Sequence, residues 1–371
     1  MLKSRKFWAF EPCQAYDLKQ ETFDNYKMKG KFQDDVQYFY DLIGIAPHPC
    51  FKIKSKSNEP ANPPVELTSI EIINSKVDIN TLKILFFMLP YSKIFNMKLI
   101  SNDWDINNLE YFINSLLEKQ NNILYLSFEW NDKLNINGTL VSIKSELENT
   151  DYVEMFKREK KLLCKLFQIS KLEGICLRGD FIGDETAIQM FVLLEKNTTI
   201  KSLSLFYNYL TPKCFPSFCN MLLYNRKLEE INFGKNSFND ECLEKLKDYI
   251  GKFLMTQEEV IDYNKKVKER DQIIKQNTKL KLQKKQEIEV PFLHEMQLIE
   301  DQYYLIKNKD LKLINLMQNP LTDKCYDTLI KIFDICPEMF ITIDYKVLSE
   351  EHRNTFLDKK SKYYEKMYFS K

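Results

Sequence analysis

Apolar residues recur along this chain in a spacing that fits neither a plain strand nor a helix. In the segment IKSLSLFYNYL, Ile200, Leu203 and Leu205 stand at positions 1, 4 and 6, and Asn208 stands at position 9. A strand that is buried on one face would alternate strictly, and an amphipathic helix would repeat its apolar residues every three or four positions. The segment does neither, so its spacing indicates a different kind of unit.

The same frame recurs over most of the chain. Copies begin at Leu172 and Leu228, which lie 28 residues before and after Ile200. Further copies begin at Ile94, Ile123 and Leu311, a weaker one begins at Leu67, and a degraded last one uses Phe340, Ile343 and Tyr345. A recurring period of 27 to 29 residues is typical of repeat proteins whose units stack on one continuous core.

The frame resembles a leucine-rich repeat of the long, ribonuclease-inhibitor-like class. This resemblance implies an α/β solenoid of about seven to eight units, with parallel strands on the concave face and helices on the convex face. We expect the asparagine at position 9 to bond backbone groups that the turn leaves unpaired. The frames predict strands at 97–99, 126–128, 175–177, 203–205, 231–233 and 314–316.

The remaining segments suggest caps and insertions. Residues 1–62 are predicted to be an N-terminal cap and linker, with a helix over Phe32–Gly44, and 348–371 a C-terminal helical cap. The solenoid would occupy 63–347, with insertions near 132–152 and 251–305 where two repeat intervals are too long. The sequence of the first insertion predicts a hairpin or a flap. The second is rich in helix formers and predicts a long charged helix over 257–285 that projects from the solenoid.

Composition narrows the classes of function. The 371 residues include 54 Lys and Arg against 53 Asp and Glu, so the net charge of +1 gives no general reason to expect nucleic-acid binding. No apolar run is long enough to cross a membrane. Nine cysteines without a CxxC pair, together with no signal sequence at the N-terminus, favour reduced thiols in the cytoplasm.

The chain lacks the sequence patterns of a catalytic or metal site. Its three histidines, His48, His294 and His352, are far apart in sequence, and none belongs to a metal-binding motif. Only 8 glycines are present, and none forms a phosphate-binding loop. We therefore predict a non-enzymatic protein with no cofactor, no metal and no catalytic residue.

The predicted concave face carries the candidate binding residues. Large aromatic and arginine side chains supply much of the binding energy at protein interfaces. Side chains between the frame aliphatics should face away from the core. Those of the interface type are Tyr125, Trp130, Arg178, Phe206 and Tyr207. The sequence leaves two alternatives open: the rings form an interface, or they pack under the first insertion or between neighbouring turns.

A run of lysines in the second insertion is a further candidate. It comprises Lys275, Lys279, Lys281, Lys284 and Lys285, with no acidic residue between them. The run is either a solvated helix face or a contact for an acidic partner, of which a tubulin tail is one example.

The order of the elements suggests a more specific resemblance. The last regular repeat runs into YIGKFLMTQEEVIDYNKKVKERD, a Lys-rich insertion follows, and NKDLKLINLMQNPLTD supplies one more repeat. This order is similar to the ciliary leucine-rich-repeat-containing group that includes protein seventy-one of that series. The resemblance implies a scaffold or adaptor that binds other proteins in a large axonemal or cytoskeletal complex of the cilium. The charge balance and the short apolar runs predict that neither nucleic acid nor a membrane is a partner.

A regulator of an enzyme, either a GTPase-activating or an inhibitor protein, remains the alternative, because ribonuclease-inhibitor-like repeats serve both roles. Arg178 is the arginine of the predicted inner face and would be the candidate for an arginine finger.

Overall fold

A parallel β-sheet runs through most of the described part of the molecule. A computed structural model describes residues 18–29, 32–44, 47–51, 68–131 and 150–370. The strands in these ranges are β1 Ser69–Ile73, β2 Lys76–Val77, β3 Asn96–Ile100, β4 Asp103–Trp104, β5 Tyr125–Glu129, β6 Gly174–Cys176, β7 Ser202–Ser204, β8 Glu230–Asn232, β9 Lys252–Leu254, β10 Glu295–Ile299, β11 Gln302–Ile306, β12 Leu313–Asn315, β13 Phe340–Asp344 and β14 Met367–Ser370. Nine of them form one sheet in the order β1-β3-β5-β6-β7-β8-β12-β13-β14.

Helices connect most of the parallel strands. The α-helices in the described ranges are α1 Gln20–Asp24, α2 Phe32–Ile43, α3 Ile79–Met88, α4 Ile106–Glu118, α5 Thr150–Lys165, α6 Asp184–Glu195, α7 Phe215–Tyr224, α8 Asp240–Leu246, α9 Gln257–Leu282, α10 Tyr326–Ile335 and α11 Glu350–Leu357. Parallel neighbours need a crossover connection, and the helix of each repeat provides it.

The sheet keeps the repeat frames in register. Leu203 pairs with Ile175 on one side and with Ile231 on the other, so position 4 of one frame meets position 4 of the next. Ile231 pairs in turn with Ile314, on the far side of the second insertion. These residues and Leu205 are all buried. The predicted strands thus lie in one parallel sheet, and the fold is a leucine-rich-repeat solenoid.

Asparagines at position 9 join consecutive repeats. The side-chain amide of Asn208 donates to the carbonyl of Leu177 at 2.8 Å, and its side-chain oxygen accepts from the N–H of Ile182 at 3.0 Å. Equivalent amide-to-carbonyl bonds are made by Asn102, Asn131, Asn236 and Asn319. The expected role of this residue is confirmed, since each amide satisfies backbone groups that the turn would otherwise leave buried and unpaired.

The residue before position 9 has a left-handed backbone. Positive φ angles occur at Asn74, Ser101, Trp130, Gly179, Tyr207, Lys235 and Gln318. A residue other than glycine pays roughly 1–2 kcal/mol for this conformation. In five of the seven turns the next residue is an asparagine, and its side-chain bonds hold the turn in place. The turn fixes where the side chain at position 8 leaves the sheet.

The last predicted copy of the frame is wrong by two residues. Ile341 pairs with Ile314 and takes position 4, so Ile343 takes position 6; both are fully buried. The sequence frame predicts Ile343 at position 4 and Tyr345 at position 6, whereas Tyr345 is 40% exposed, with the guanidinium of Arg353 4.2 Å from its ring centroid. Burial of the two isoleucines sets the register.

The two ends of the described solenoid differ. At the N-terminal side, α2 fills the predicted helix and packs against α3, where the hydroxyl groups of Tyr40 and Thr81 are 2.8 Å apart. At the C-terminal side, the segment predicted to be helical contains α11 and then β14, which extends the sheet as a ninth strand. Met367 and Phe369 continue the frame there, each paired with an isoleucine of β13.

The second insertion contains more than a helix. The predicted helix is present as α9, and Lys284 and Lys285 follow its end. Strands β9, β10 and β11 form an antiparallel sheet of their own that the sequence reading missed. Residues 132–149, most of the first predicted insertion, and Leu67 of the first frame lie outside the described residues.

Candidate protein-binding face

Five predicted or neighbouring side chains meet where strands β5 to β8 end. The ring centroids of Trp130 and Tyr207 are 4.8 Å apart. The guanidinium of Arg178 lies 4.6 Å from the ring centroid of Phe206 and 5.8 Å from that of Trp130. The ammonium of Lys235, which the sequence reading had not selected, lies 3.8 Å from the ring centroid of Tyr207. We call these five residues the aromatic rim.

Glycines in the next repeat make room for the rings. A Cβ atom on Gly179 would come within 2.3 Å of the Trp130 ring, and one on Gly234 within 2.7 Å of the Phe206 ring. Each ring and its glycine occupy the same frame position in consecutive repeats, which are adjacent in the sheet. The rings therefore lie over neighbouring repeats rather than standing free, and Trp130 reaches across Gly179 to Tyr207.

The rim is packed on its inner side and open on its outer side. Trp130, Phe206 and Tyr207 are half-buried, whereas Arg178 and Lys235 are exposed. The structure thus combines the two readings of the sequence: the rings pack between neighbouring turns, yet part of each ring remains accessible. Large rings held in one orientation lose little conformational freedom on binding, so such a surface suits an interface.

Tyr125 lies apart from the rim. It is 43% exposed and lines a hollow of about 460 Å³ on the concave face, near the beginnings of the strands. Its ring lies over Gly174, where a Cβ atom would come within 2.8 Å, and its hydroxyl is 3.4 Å from a carboxylate oxygen of Glu173. The five predicted residues therefore divide into four on the rim and one in the hollow.

Three lysines of the concave face are paired with acids of the preceding repeat. The ion pairs are Lys98 with Glu71 at 3.4 Å, Lys201 with Glu173 at 2.9 Å, and Lys312 with Glu229 at 3.3 Å. The hydrogen bond from Lys201 holds the pKa of Glu173 below its usual value. We call Lys98, Lys201 and Lys312 the paired lysines.

The thiol of Cys176 faces the same surface but is poorly suited to nucleophilic chemistry. Burial raises its pKa to about 12, with a smaller contribution from the carboxylate of Glu129. It therefore stays protonated at neutral pH, whereas a reactive cysteine needs its thiolate form. Within the described ranges, no group of three or more His, Cys, Asp or Glu side chains is arranged to hold a metal ion.

The predicted lysine run of the insertion is exposed. Lys275, Lys279 and Lys281 lie on α9, and of these Lys281 pairs with Glu287 at 3.3 Å. Lys284 and Lys285 are exposed beyond the helix end. None of the helices in the described part of the chain has the length and apolar character that a membrane crossing needs.

Comparisons with known proteins add little beyond this geometry. Among solved structures, an internalin (inlF) from Listeria monocytogenes str. 4b F2365 is 12% identical, with a TM-score of 0.23 over 76% of this chain and 82% of that one. No protein-family model matches the chain, and no curated protein matches it. The fold assignment rests on the parallel sheet and the asparagine bonds described above.

Proposed function

We propose that this chain is a non-catalytic scaffold that binds another protein through the aromatic rim. The observation that carries the proposal is a half-exposed patch on the concave face, in which the rings of Trp130 and Tyr207 are in contact and the guanidinium of Arg178 lies between Trp130 and Phe206. Aromatic side chains at the centre of an interface commonly lose 2 kcal/mol or more of binding energy when truncated. Repeat solenoids present extended concave surfaces of this kind to their partners.

We place the scaffold in a ciliary or axonemal assembly. The support for this placement is the order of repeats and the charged insertion, which is similar to that of the ciliary leucine-rich-repeat-containing group. In such an assembly the lysines of the insertion would provide a second contact with an acidic partner.

The test is affinity purification of the full chain from ciliated cells. The wild-type chain should recover a stable, stoichiometric assembly. The variant Trp130→Ala/Phe206→Ala/Tyr207→Ala should lose it, with affinity lower by a factor on the order of a thousand if two such contacts are lost. An equal recovery by a normally folded variant would remove the rim from the interface.

Regulation of an enzyme is the second candidate function. The observation that favours it is Arg178, which is exposed and has no ion pair with any described carboxylate. A partner whose recovery depends on the bound nucleotide would support the regulator, and a nucleotide-independent assembly would support the scaffold.

The lysines of the insertion need a separate variant. Replacing Lys275, Lys279, Lys284 and Lys285 by Gln should weaken the assembly at low salt and have little effect at high salt, because exposed charges are screened. Equal recovery at both salt concentrations would exclude this part of the insertion from the interface.

A further inference from the structure

The two cations of the aromatic rim differ from the paired lysines. Arg178 and Lys235 are both exposed, and neither forms an ion pair within the described ranges. The paired lysines, by contrast, each have a glutamate from the preceding repeat. One part of the concave face therefore neutralises its own cations, and the rim leaves two of them available.

The acid of the adjacent strand does not form an ion pair with Arg178. Glu129 is the last residue of β5 and has the frame position that Arg178 has one repeat later. Its carboxylate accepts a hydrogen bond from the hydroxyl of Ser127. The Arg178 guanidinium instead lies over the ring of Phe206. A cation placed on a ring is held in position, while its outer side can still receive an anion.

We propose that the aromatic rim binds an acidic peptide segment of a partner protein, in which a carboxylate lies next to a large apolar side chain. This inference rests on the proposed function and adds the chemistry of the partner. The apolar side chain would cover the open sides of the rings, and the carboxylate would meet Arg178 or Lys235. Complementary charge of this kind selects partners and speeds their association.

A single-stranded nucleic acid is the competing ligand, because bases also stack on aromatic rings. Such ligands need a groove of cations that follows the phosphate backbone. The rim offers two exposed cations that have no ion pair in the described ranges, Arg178 and Lys235. Two cations suit one or two carboxylates of a peptide better than a continuous run of phosphates, so the small number of cations favours the peptide.

The test uses synthetic peptides and the full chain. Three labelled peptides of equal length carry a central Trp between glutamates, the same Trp between lysines, and an Ala between glutamates; a labelled oligothymidylate is the fourth probe. Fluorescence polarisation should detect binding of the acidic Trp peptide, with affinity that falls as salt rises, and weaker or absent binding of the other three. No binding of the acidic Trp peptide at millimolar concentration, or tighter binding of the lysine peptide or the oligonucleotide, would overturn the inference.

Matched charge variants test whether Arg178 and Lys235 are the residues that bind the acidic peptide. Arg178→Gln/Lys235→Gln should weaken binding of the acidic Trp peptide about tenfold, the sum of two exposed charge contacts. Lys98→Gln/Lys312→Gln removes the same charge from the same face, at lysines that already have internal partners, and should change the affinity less than about twofold. Equal losses in both variants would mean that only net charge matters, which contradicts a specific site.

The same variants separate this inference from the proposed function. If the native assembly is lost with the triple aromatic variant and retained with Arg178→Gln/Lys235→Gln, the rim binds through its rings alone. The acidic-partner inference then fails and the scaffold stands. If the triple aromatic variant retains the assembly, the proposed function fails as well.

Discussion

The solenoid and its second insertion both contain helices and strands, but the two regions bury the apolar side chains of these elements to very different extents. In the solenoid, frame residues such as Leu205 and Ile314 are fully buried between neighbouring repeats. In the insertion, α9 runs for 26 residues, of which Asn277 is buried, and Ile261 and Leu282 are 70% and 84% exposed. The same types of element therefore draw their stability from different sources.

Local interactions stabilise the insertion helix. Thr256 and Glu259 form a capping box at its start, and Asp262 pairs with Lys266 one turn apart at 2.6 Å. Such contacts contribute from a few tenths to about 1 kcal/mol each. The solenoid instead depends on stacking, in which each repeat covers the core of the next. The aromatic rim is therefore supported by a core that the repeats share, whereas the lysines of α9 are not.

The largest expected effect comes from the core of the solenoid. Leu205→Ala should lower the free energy of unfolding by about 2–5 kcal/mol, because it leaves a cavity between repeats. Ile261→Ala on α9 removes the same number of carbon atoms but should change the free energy of unfolding by less than about 0.5 kcal/mol, because that side chain is 70% exposed. Denaturant melts of both variants measure the difference, and similar losses would remove the distinction between the two regions.

Two buried asparagines provide a chemically matched comparison. Asn208 bonds backbone groups of the solenoid, and Asn277 donates to the carbonyl of Ile288 at 2.6 Å and accepts from its N–H at 2.7 Å. Asn208→Ala should lower global stability by roughly 1–3 kcal/mol, the cost of leaving buried groups unpaired. Asn277→Ala should free the segment after α9 and leave the global melt nearly unchanged. A global loss of equal size in both would show that the insertion folds as part of the solenoid.

The sequence predicted the repeating part well for a physical reason. Each frame residue packs between the equivalent residues of the two adjacent repeats. The spacing that predicts a buried Leu203 therefore also predicts buried Ile175 and Ile231. The rule weakened at the last copy, where two isoleucines and two aromatic residues offered competing registers. The frame does not predict β10 and β11, whose antiparallel hairpin has no counterpart in the other repeats as far as the structure describes them.

The rim was predicted only in part. Its aromatic residues and Arg178 follow from their frame positions and residue types. Lys235 was not among the predicted interface residues because only aromatic and arginine side chains were chosen. The glycine contacts were also missed, although they left a readable signal. Aligning the repeats places Trp130 above Gly179 and Phe206 above Gly234 in the same columns. Tyr125 was predicted together with the rim residues because they were chosen by residue type. Its frame position 3, at the start of the strand, separates it from the rim residues at positions 7 and 8.

Proteolysis should distinguish the two regions under native conditions. With trypsin at low concentration, the first cuts should fall within or just after α9, since its lysines are exposed and its backbone has little tertiary cover. Peptide mapping of the early fragments identifies the sites. First cuts within the described repeats, with α9 intact, would show that the insertion is packed against a part of the chain or a second copy.

The smallest expected effect is a pH dependence confined to the insertion. Burial, with smaller contributions from Arg226 and Lys307, lowers the pKa of His294 to about 4 from its usual 6.5. The unfolded insertion therefore binds a proton below about pH 6.5 that the folded one does not, so its stability should fall as pH drops toward 4 and stay constant above 6.5.

The check is the rate of subtilisin cleavage in the insertion at pH 5 relative to pH 7.5, normalised to an unstructured peptide. The ratio should be greater than one for the wild type and smaller for His294→Gln, which cannot titrate. A ratio that is unchanged by the substitution would assign the pH dependence to another group.

Native-state hydrogen exchange tests the central claim most directly, namely that the repeats form one body that supports the rim and that the insertion is an appended unit. Strands β8 and β12 adjoin each other in the sheet although α9 lies between them in sequence. We predict that their amides exchange only through global unfolding, together with those of β7, while amides of α9 exchange at much lower free energies. Protection of α9 equal to that of β8 and β12 would contradict the account, as would independent exchange of β8 and β12.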